Sequence, residues 1–298
     1  MKDNNIIVLF RGGLGNQLYI YSFYRWLKKQ CVGKRVLADL TEYSLYIHHS
    51  GFELISHLGI DDITTATRNE IFRNSGHIPI FYSGKGGHRI DTIRKKINKT
   101  VFKEDPKKVF VEGKDIELYD VMEAIQNNVL YYDGFWQDAY FFNQLKNEIC
   151  DSINFKVEKD PEVLRRIINT NSASIHVRRG DFVGATQFGT VGVDYYKKAV
   201  ELLLERDSDV SFYIFSDDKE YVEQHFNWLK NKTIVTENFG NCSYLDMYYM
   251  SKCRHQILSN STFSVWAAYL SQTQGDCLYP EVRFLEKKIL EKWIPVAV

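Results

Sequence analysis

Ile6-Ile-Val-Leu-Phe-Arg-Gly-Gly-Leu-Gly-Asn-Gln-Leu18 stands at the head of the chain, and Arg35-Val-Leu-Ala-Asp39 follows it. A short apolar run meets a glycine cluster, after which Leu14, Leu18, Tyr21, Phe23 and Leu27 recur at mostly helical spacing as far as Lys28-Lys29. The reading is strand, tight turn, helix, and the second run is another buried strand. A βαβ unit of this kind implies a parallel sheet with helices on both faces, so the fold class is α/β.

The alternation returns later in the chain. Val129–Tyr132 reads as a strand and Ala139–Ile149 as a helix, followed by a polar stretch, Asp151–Pro161, that suits a linker. Beyond it come strand Ser172–Val177, helix Tyr195–Glu205, strand Ser211–Phe215, helix Lys219–Trp228 and strand Thr233–Thr236. Helix Ser243–Ser251, strand His255–Leu258 and helix Phe263–Leu270 complete this doubly wound series. The expected architecture is two Rossmann-like domains, residues 1–155 and 156–298, facing across a cleft, with ligands at the carboxyl ends of strands. Residues 40–128, which include Ser83-Gly-Lys-Gly-Gly-His88, are expected to be irregular.

Composition narrows the function. The 298 residues include 44% hydrophobic and 14% aromatic residues and only 5 prolines, which excludes disordered, collagenous and disulfide-scaffold classes. Lys+Arg and Asp+Glu balance at 38 each, so no global field exists to hold nucleic acid, and any basic function must be local. The five cysteines, Cys31, Cys150, Cys242, Cys253 and Cys277, lack a C-x-x-C pair and read as reduced thiols. The apolar run Ile6–Phe10 is too short for a signal or a membrane span, so the expected location is the cytoplasm. The N-x-S/T strings at Asn98, Asn231, Asn241 and Asn260 are then chance matches.

Four stretches carry chemistry. At the first strand-to-helix turn, Gly13 and Gly15 let backbone approach a ligand, and a helix N-terminus favours an anion. A dinucleotide site is one reading, because Asp39 ends the second strand where a ribose-binding acid belongs; a plain tight turn and a different ligand are the others. Leu18 in the third glycine position and the amides Asn16-Gln17 weigh against the dinucleotide. In Ser174-Ile-His-Val-Arg-Arg-Gly-Asp181, strand alternation sends His176 and Arg178 to one face and Val177 and Arg179 to the other. Two arginines at a strand end suit a phosphate or carboxylate, or else form an ion pair with Asp181.

Phe212-Tyr-Ile-Phe-Ser-Asp-Asp218 ends a strand in two carboxylates, which can cap the next helix, read a base edge or hold a metal. Asp207-Ser-Asp209 precedes its strand and reads as a solvated turn, not a metal site. Leu258-Ser-Asn-Ser-Thr-Phe-Ser-Val-Trp266 runs through small polar residues into an apolar helix. Ser261 or Thr262 is either an N-cap or part of a phosphate site.

Gly12-Gly-Leu-Gly-Asn-Gln-Leu18, Asp133-Gly-Phe-Trp-Gln137, His176-Val-Arg-Arg-Gly-Asp181 and Ser259-Asn-Ser-Thr-Phe-Ser264 together resemble, in order and spacing, the bacterial α-1,2-fucosyltransferases, which lack a membrane anchor. The resemblance spans nearly the whole chain. It implies a two-domain GT-B fold, an N-terminal acceptor-side domain, a C-terminal donor domain, and no metal or other cofactor. It further implies transfer of L-fucose, with inversion, from GDP-β-L-fucose to the 2-OH of a terminal galactose on a glycan acceptor. Donor contacts are expected from Gly13, Gly15, His176, Arg178, Arg179, Asp217, Ser261, Thr262, Phe263 and Ser264, with Arg178 facing the departing diphosphate and Asp217 reading guanine. Asn16 is expected beside the fucose and the acceptor hydroxyl.

Related enzymes carry a Glu after the R-R-x-D string, whereas Phe182-Val-Gly-Ala-Thr-Gln-Phe188 holds no carboxylate, so no general base is named. Asp181 is as well suited to orienting the arginines. Lys85–Lys108 holds nine Lys/Arg against three Asp/Glu, either a solvated face or a surface drawn to anionic lipid and lipid-linked acceptors. The alternative functions are fucosyl transfer with another linkage or acceptor, and a non-catalytic nucleotide- or glycan-binding module. The presence of both Arg178 and the Ser/Thr turn counts against the module.

Overall fold

The computed structural model describes residues 5–45, 51–76, 108–113, 116–157, 161–180, 191–238 and 242–298. Two compact units divide the chain, Met1–Asn154 and Phe155–Val298.

In the first unit, β1 (Ile6–Leu9), α1 (Leu14–Gln30) and β2 (Val36–Asp39) form the expected opening. They are followed by α2 (Thr41–Leu45), α3 (Arg68–Ser75), β3 (Val109–Val111) and α4 (Leu118–Gln126). β4 (Tyr131–Asp133), α5 (Ala139–Asn143) and α6 (Lys146–Ser152) end the unit. The strands pair in the order β2-β1-β4-β3, all parallel, so the winding reverses between β1 and β4. All four residues of β1 are buried, as a strand covered on both faces requires. α1 is buried almost all round, and its tyrosines find partners inside: the Tyr24 hydroxyl donates to the Val36 carbonyl at 3.0 Å and Tyr21 to Asp62 Oδ1 at 2.9 Å.

The expectation of irregular structure over 40–128 needs correcting for the described part. It holds α2, α3, β3 and α4. The signal for α3 was local: Thr67 and Glu70 form a reciprocal capping box, and Gly76 closes the helix at φ 73°. Ser83–His88, and all of the basic run except Lys108, lie outside the described residues. The single helix expected over Ala139–Ile149 is two, because the chain breaks at buried Leu145, which starts α6; that helix continues through Ser152 into the expected linker.

Asp39 is no ribose ligand. Only 1% exposed, it accepts the Thr41 N–H at 2.9 Å on Oδ1 and the Tyr131 hydroxyl at 2.8 Å on Oδ2. Both oxygens are engaged in tying β2 to the start of α2 and to β4, so the dinucleotide reading falls.

The second unit contains α7 (Glu162–Asn169), β5 (Ser172–Val177), α8 (Val193–Arg206), β6 (Ser211–Ser216), α9 (Lys219–His225) and β7 (Lys232–Ile234). α10 (Tyr244–Lys252), β8 (His255–Ile257), α11 (Thr262–Tyr269), β9 (Cys277–Pro280) and β10 (Ile294–Val296) complete it. The six strands are parallel in the order β10-β9-β8-β5-β6-β7. Winding runs outward from β5 through β6 to β7, then restarts at β8 on the other side. This is the strand order of dinucleotide-binding sheets, and its crevice lies between the carboxyl ends of β5 and β8. Packed beneath, Ala199, Val200 and Leu203 of α8 meet Ile175, Ile214, Ile257 and Leu278 of the sheet in one core.

Asp39→Ala should destabilise the protein by about 2–3 kcal/mol, because it removes two buried hydrogen bonds, from the Thr41 N–H and the Tyr131 hydroxyl. Urea unfolding measures this, with the slope unchanged; a loss below about 0.5 kcal/mol would show that the carboxylate is not holding these groups.

Candidate functional site

The crevice of the second unit is built from three of the motifs. β5 ends in His176-Val177-Arg178-Arg179, and alternation divides the cations as expected. Arg178 Nη1 pairs with Asp217 Oδ2 at 2.8 Å. Arg179 goes elsewhere: its guanidinium lies 3.6 Å above the Tyr221 ring, and its Nε meets Asp218 Oδ2 at 3.3 Å. Stacking plus an ion pair fixes Arg179 on the α9 side. Asp217 also accepts the Arg179 backbone N–H at 2.9 Å, so one carboxylate holds the end of β5 at two points. Gly180 is small for a reason, since a Cβ there would stand 2.7 Å from Asp217 Oδ2. Asp218 caps α9 by accepting the Tyr221 N–H at 3.0 Å.

His176 is 6% exposed and shares a 2.8 Å hydrogen bond between Nδ1 and Ser259 Oγ, which joins the ends of β5 and β8. Burial, with Arg178 adding to it, pushes the imidazole down to about 3. The ring is therefore neutral at any physiological pH. Phe263 packs beside it at 5.6 Å. From below, the two tyrosines of α8 hold the same strand ends: Tyr196 donates to the His176 carbonyl at 3.0 Å and Tyr195 to the Leu258 carbonyl at 2.7 Å.

The Ser259–Ser264 turn divides its labour. Ser261 is the N-cap of α11, accepting the Phe263 N–H at 3.3 Å. Ser264 is fully buried and its hydroxyl donates to the Ser261 carbonyl at 3.1 Å, so this side chain shapes the turn instead of meeting a ligand. Thr262 and Phe263 are the partly exposed members. Asp181 and the loop after it lie outside the described residues. Asp207 and Asp209 fall before β6, at the opposite end of the sheet, with Asp207 3.6 Å from His255 Nε2. Among the described residues no three His, Cys, Asp or Glu side chains gather as a metal-ligating set.

In the first unit, the other two motifs converge at the reversal between β1 and β4. Arg11, after β1, pairs with Asp133 at 2.9 Å and lies 4.5 Å above the Phe135 ring. Gln137 donates through Nε2 to Asn16 Oδ1 at 2.7 Å. The glycine that the turn requires is Gly12, at φ 79°; Gly13 is the extended N-cap of α1 and Gly15 lies buried within its first turn. A Cβ on Gly12 would stand 2.6 Å from Asn16 Nδ2, so the amide occupies the space left by the missing side chain.

Gln17 points inward and is fully buried. Its Nε2 donates to the carbonyls of Gly12 at 3.1 Å and Gly51 at 2.8 Å, and its Oε1 accepts the Glu53 N–H at 2.9 Å. Glu53 itself is 3% exposed, and burial pushes its carboxyl up to about 7. Glu112 is a second acid that the sequence reading passed over. Its Oε2 accepts the backbone N–H groups of Phe135 and Trp136, and thereby holds the Asp133–Gln137 turn. The capping box of α3 had a spacing rule to find it, whereas Glu112 follows a three-residue strand with no pattern to mark it.

Both units are Rossmann-like, and the second carries a buried histidine, two arginines and a hydroxyl-lined turn at its strand-order reversal. The chain belongs to glycosyl transferase family 11, whose profile matches residues 5–281. It is similar to the alpha-1,2-colitosyltransferase of Escherichia coli, 26% identical over 313 residues that cover 98% of each chain. The O-antigen biosynthesis glycosyltransferase WbnK of Escherichia coli is 26% identical over 87% of this chain and 88% of its own. Galactoside alpha-(1,2)-fucosyltransferase 2 of Rattus norvegicus is 24% identical over 62% of this chain and 60% of its own. Among solved structures, fucosyltransferase NodZ from Bradyrhizobium superposes with a TM-score of 0.49 at 15% identity, covering 90% of this chain and 92% of that one. No described helix is long and apolar enough to cross a membrane.

Glu53 yields a pH prediction. Its carboxyl keeps a proton in the native state between its ordinary value of 4.5 and about 7, where the unfolded chain has lost it. Stability must then fall as pH rises through that window. Glu53→Gln removes the ionising group, so the variant should gain about 1–3 kcal/mol over wild type at pH 8 and nothing at pH 4.5. Thermal melts across pH measure the difference; a gain that does not change with pH would mean Glu53 is charged in the native state.

Proposed function

We propose that the enzyme transfers a 6-deoxy-L-sugar, L-fucose in the first instance, from its GDP derivative to the 2-OH of a terminal β-galactoside, with inversion to an α-1,2 linkage. The observation that carries this reading is Arg178, held by Asp217 at the carboxyl end of the central strand of a nucleotide-type sheet. The names of the family relatives support the linkage and the sugar class. In the reaction, the acceptor oxygen forms a bond to the anomeric carbon as the bond to the β-phosphate oxygen breaks. The electron pair leaves with GDP, and the hydroxyl proton passes to solvent or to a base outside the described residues.

Charge gathers on the departing diphosphate, and a preorganised guanidinium stabilises it more than it stabilises the ground state. Arg178 has that task in this reading, with Thr262 and the N–H groups near it adding dipoles. Asp217 accepts from N1–H and N2–H₂ of guanine; each carboxylate oxygen has a second lone pair, so this is compatible with its hold on Arg178. Neutral His176 packs beside the nucleoside without adding charge. The first unit takes the acceptor, with Asn16 near the reacting hydroxyl. No metal or other cofactor takes part. The basic run Lys85–Lys108 carries the further proposal of contact with an anionic membrane surface or a lipid-linked acceptor, and rests on its charge alone.

A second reading has a specific observation behind it: the colitosyltransferase matches this chain end to end. Colitose is L-fucose without its 3-OH, so GDP-colitose is the competing donor. Incubation with GDP-fucose, GDP-colitose, GDP-mannose and UDP-galactose, in EDTA, on lactose should give product from a GDP-6-deoxy-L-sugar only, and NMR of the product should show an α-1,2 bond. A different linkage, product from UDP-galactose, or full loss in EDTA reversed by Mn²⁺ would overturn the corresponding part.

Arg178→Ala should lower kcat at least about 100-fold, and Arg178→Lys should recover little, because a point charge lacks the guanidinium fork. Asp217→Asn separates its two tasks. If it reads guanine, the variant loses thermal stabilisation by GDP far more than by UDP; equal losses for both would leave it only as the group that orients Arg178.

A further inference from the structure

We propose that Glu112 is a positioning residue for acceptor transfer, acting through the Asp133–Gln137 turn on the amide of Asn16. The proposal rests on the reading of Asn16 as the group beside the acceptor hydroxyl, and every contact in it lies within the first unit.

The chain of contacts is short. Glu112 leaves β3, where its own N–H donates to the Asp133 carbonyl at 2.8 Å as the last rung between β3 and β4. Its side chain then turns back over the neighbouring strand. Oε2 accepts two consecutive backbone N–H groups, from Phe135 at 2.6 Å and from Trp136 at 3.0 Å. Consecutive N–H groups converge on one oxygen only when the backbone curls, and Trp136 sits accordingly in the left-handed region at φ 52°. That conformation is costly for a bulky residue and needs outside support. The Trp136 ring supplies part of it, stacked on Phe23 of α1 with centroids 3.8 Å apart and planes 9° apart.

The approach has been given room. Gly134 carries no side chain where a Cβ would meet Glu112 Cβ at 2.6 Å and Oε2 at 2.8 Å. One residue past Trp136, Gln137 reaches Asn16 and donates to its Oδ1 at 2.7 Å. That bond fixes which way the Asn16 amide faces: its oxygen is turned to Gln137 and its nitrogen lies over Gly12. The orientation of Asn16 is therefore set by the position of Gln137. Gln137 in turn is aimed by a left-handed turn that Glu112 Oε2 and the Trp136 stack on Phe23 hold together.

A residue that only stabilised the fold would weaken everything in proportion. A positioning residue affects the step that Asn16 serves and is coupled to Asn16. Glu112→Ala should reduce kcat/KM for lactose about 30- to 100-fold while KM for the GDP-sugar stays within about twofold. Glu112→Gln keeps one acceptor oxygen for the two N–H groups and should recover to within about fivefold of wild type. In an Asn16→Ala background, Glu112→Ala should cost less than about threefold more, because the group it positions has gone.

Gln137→Ala cuts the same link without disturbing the carboxylate and carries the cycle if Glu112→Ala does not fold. The cycle is read twice, on transfer and on lactose binding by ligand-observed NMR. Losses that multiply across the two backgrounds, or a Glu112→Ala enzyme with more than a third of wild-type kcat/KM, overturn the proposal. Coupled losses in lactose binding with no transfer from any GDP-sugar would support the relay and overturn the proposed function instead.

Discussion

A parallel sheet must be covered on both faces, and a chain can cover both only by reversing the direction in which it winds. At the reversal, neighbouring strands send their crossovers to opposite faces. The backbone beyond those two strand ends then has no ladder to continue into, and side chains must close it. In the second unit that closure is the bond between His176 and Ser259, with Tyr195 and Tyr196 donating to the strand-end carbonyls from below. In the first unit it is the pair Arg11 and Asp133 and the pair Asn16 and Gln137. These contacts hold together the strand ends that border each reversal.

The electrostatics of the second unit follow from strand alternation. A charged imidazole beside Arg178 would set like charges together; burial instead keeps His176 neutral, so it adds no positive charge at the end of β5. Asp217 restrains Arg178, while Asp218 and Tyr221 hold Arg179 on the other side, so each guanidinium has its own carboxylate. One guanidinium anchors the loop against α9. The other is held through its Nη1 by Asp217, which restricts the conformations open to it.

The α/β class, the buried strand β5 and the alternation of strands and helices were legible because continuous apolar runs and helical spacing are local properties. The five motifs were legible for the same reason, since each spans fewer than ten residues. Long-range consequences were not. Whether Ser264 meets a ligand or the Ser261 carbonyl depends on how tightly the turn folds on itself. Asp39 stands where a ribose acid would, and only the arrival of Tyr131 from β4 shows that it is engaged. β9 and β10 have four and three residues, one of them Pro295 on an edge, and give no periodicity to read. Glu112 and Glu53 act on residues about 24 and 36 positions away, a separation that no spacing rule covers.

Two left-handed residues of the first unit, Gly12 and Trp136, adjoin the same pair of amides. Gly12 adopts φ 79° at no steric cost, while Trp136 at φ 52° carries a penalty of about 1–3 kcal/mol. Relaxing Trp136 to an ordinary conformation would relieve that penalty and would draw its ring off Phe23, breaking a buried stack. It would also pull two N–H groups off Glu112, each a charge-assisted bond of roughly 1.5–3 kcal/mol. The restraints outweigh the strain, so the turn has one stable form. A single form is what Asn16 requires, because an amide has a donor end and an acceptor end and a reversal of either amide would place two like groups against each other.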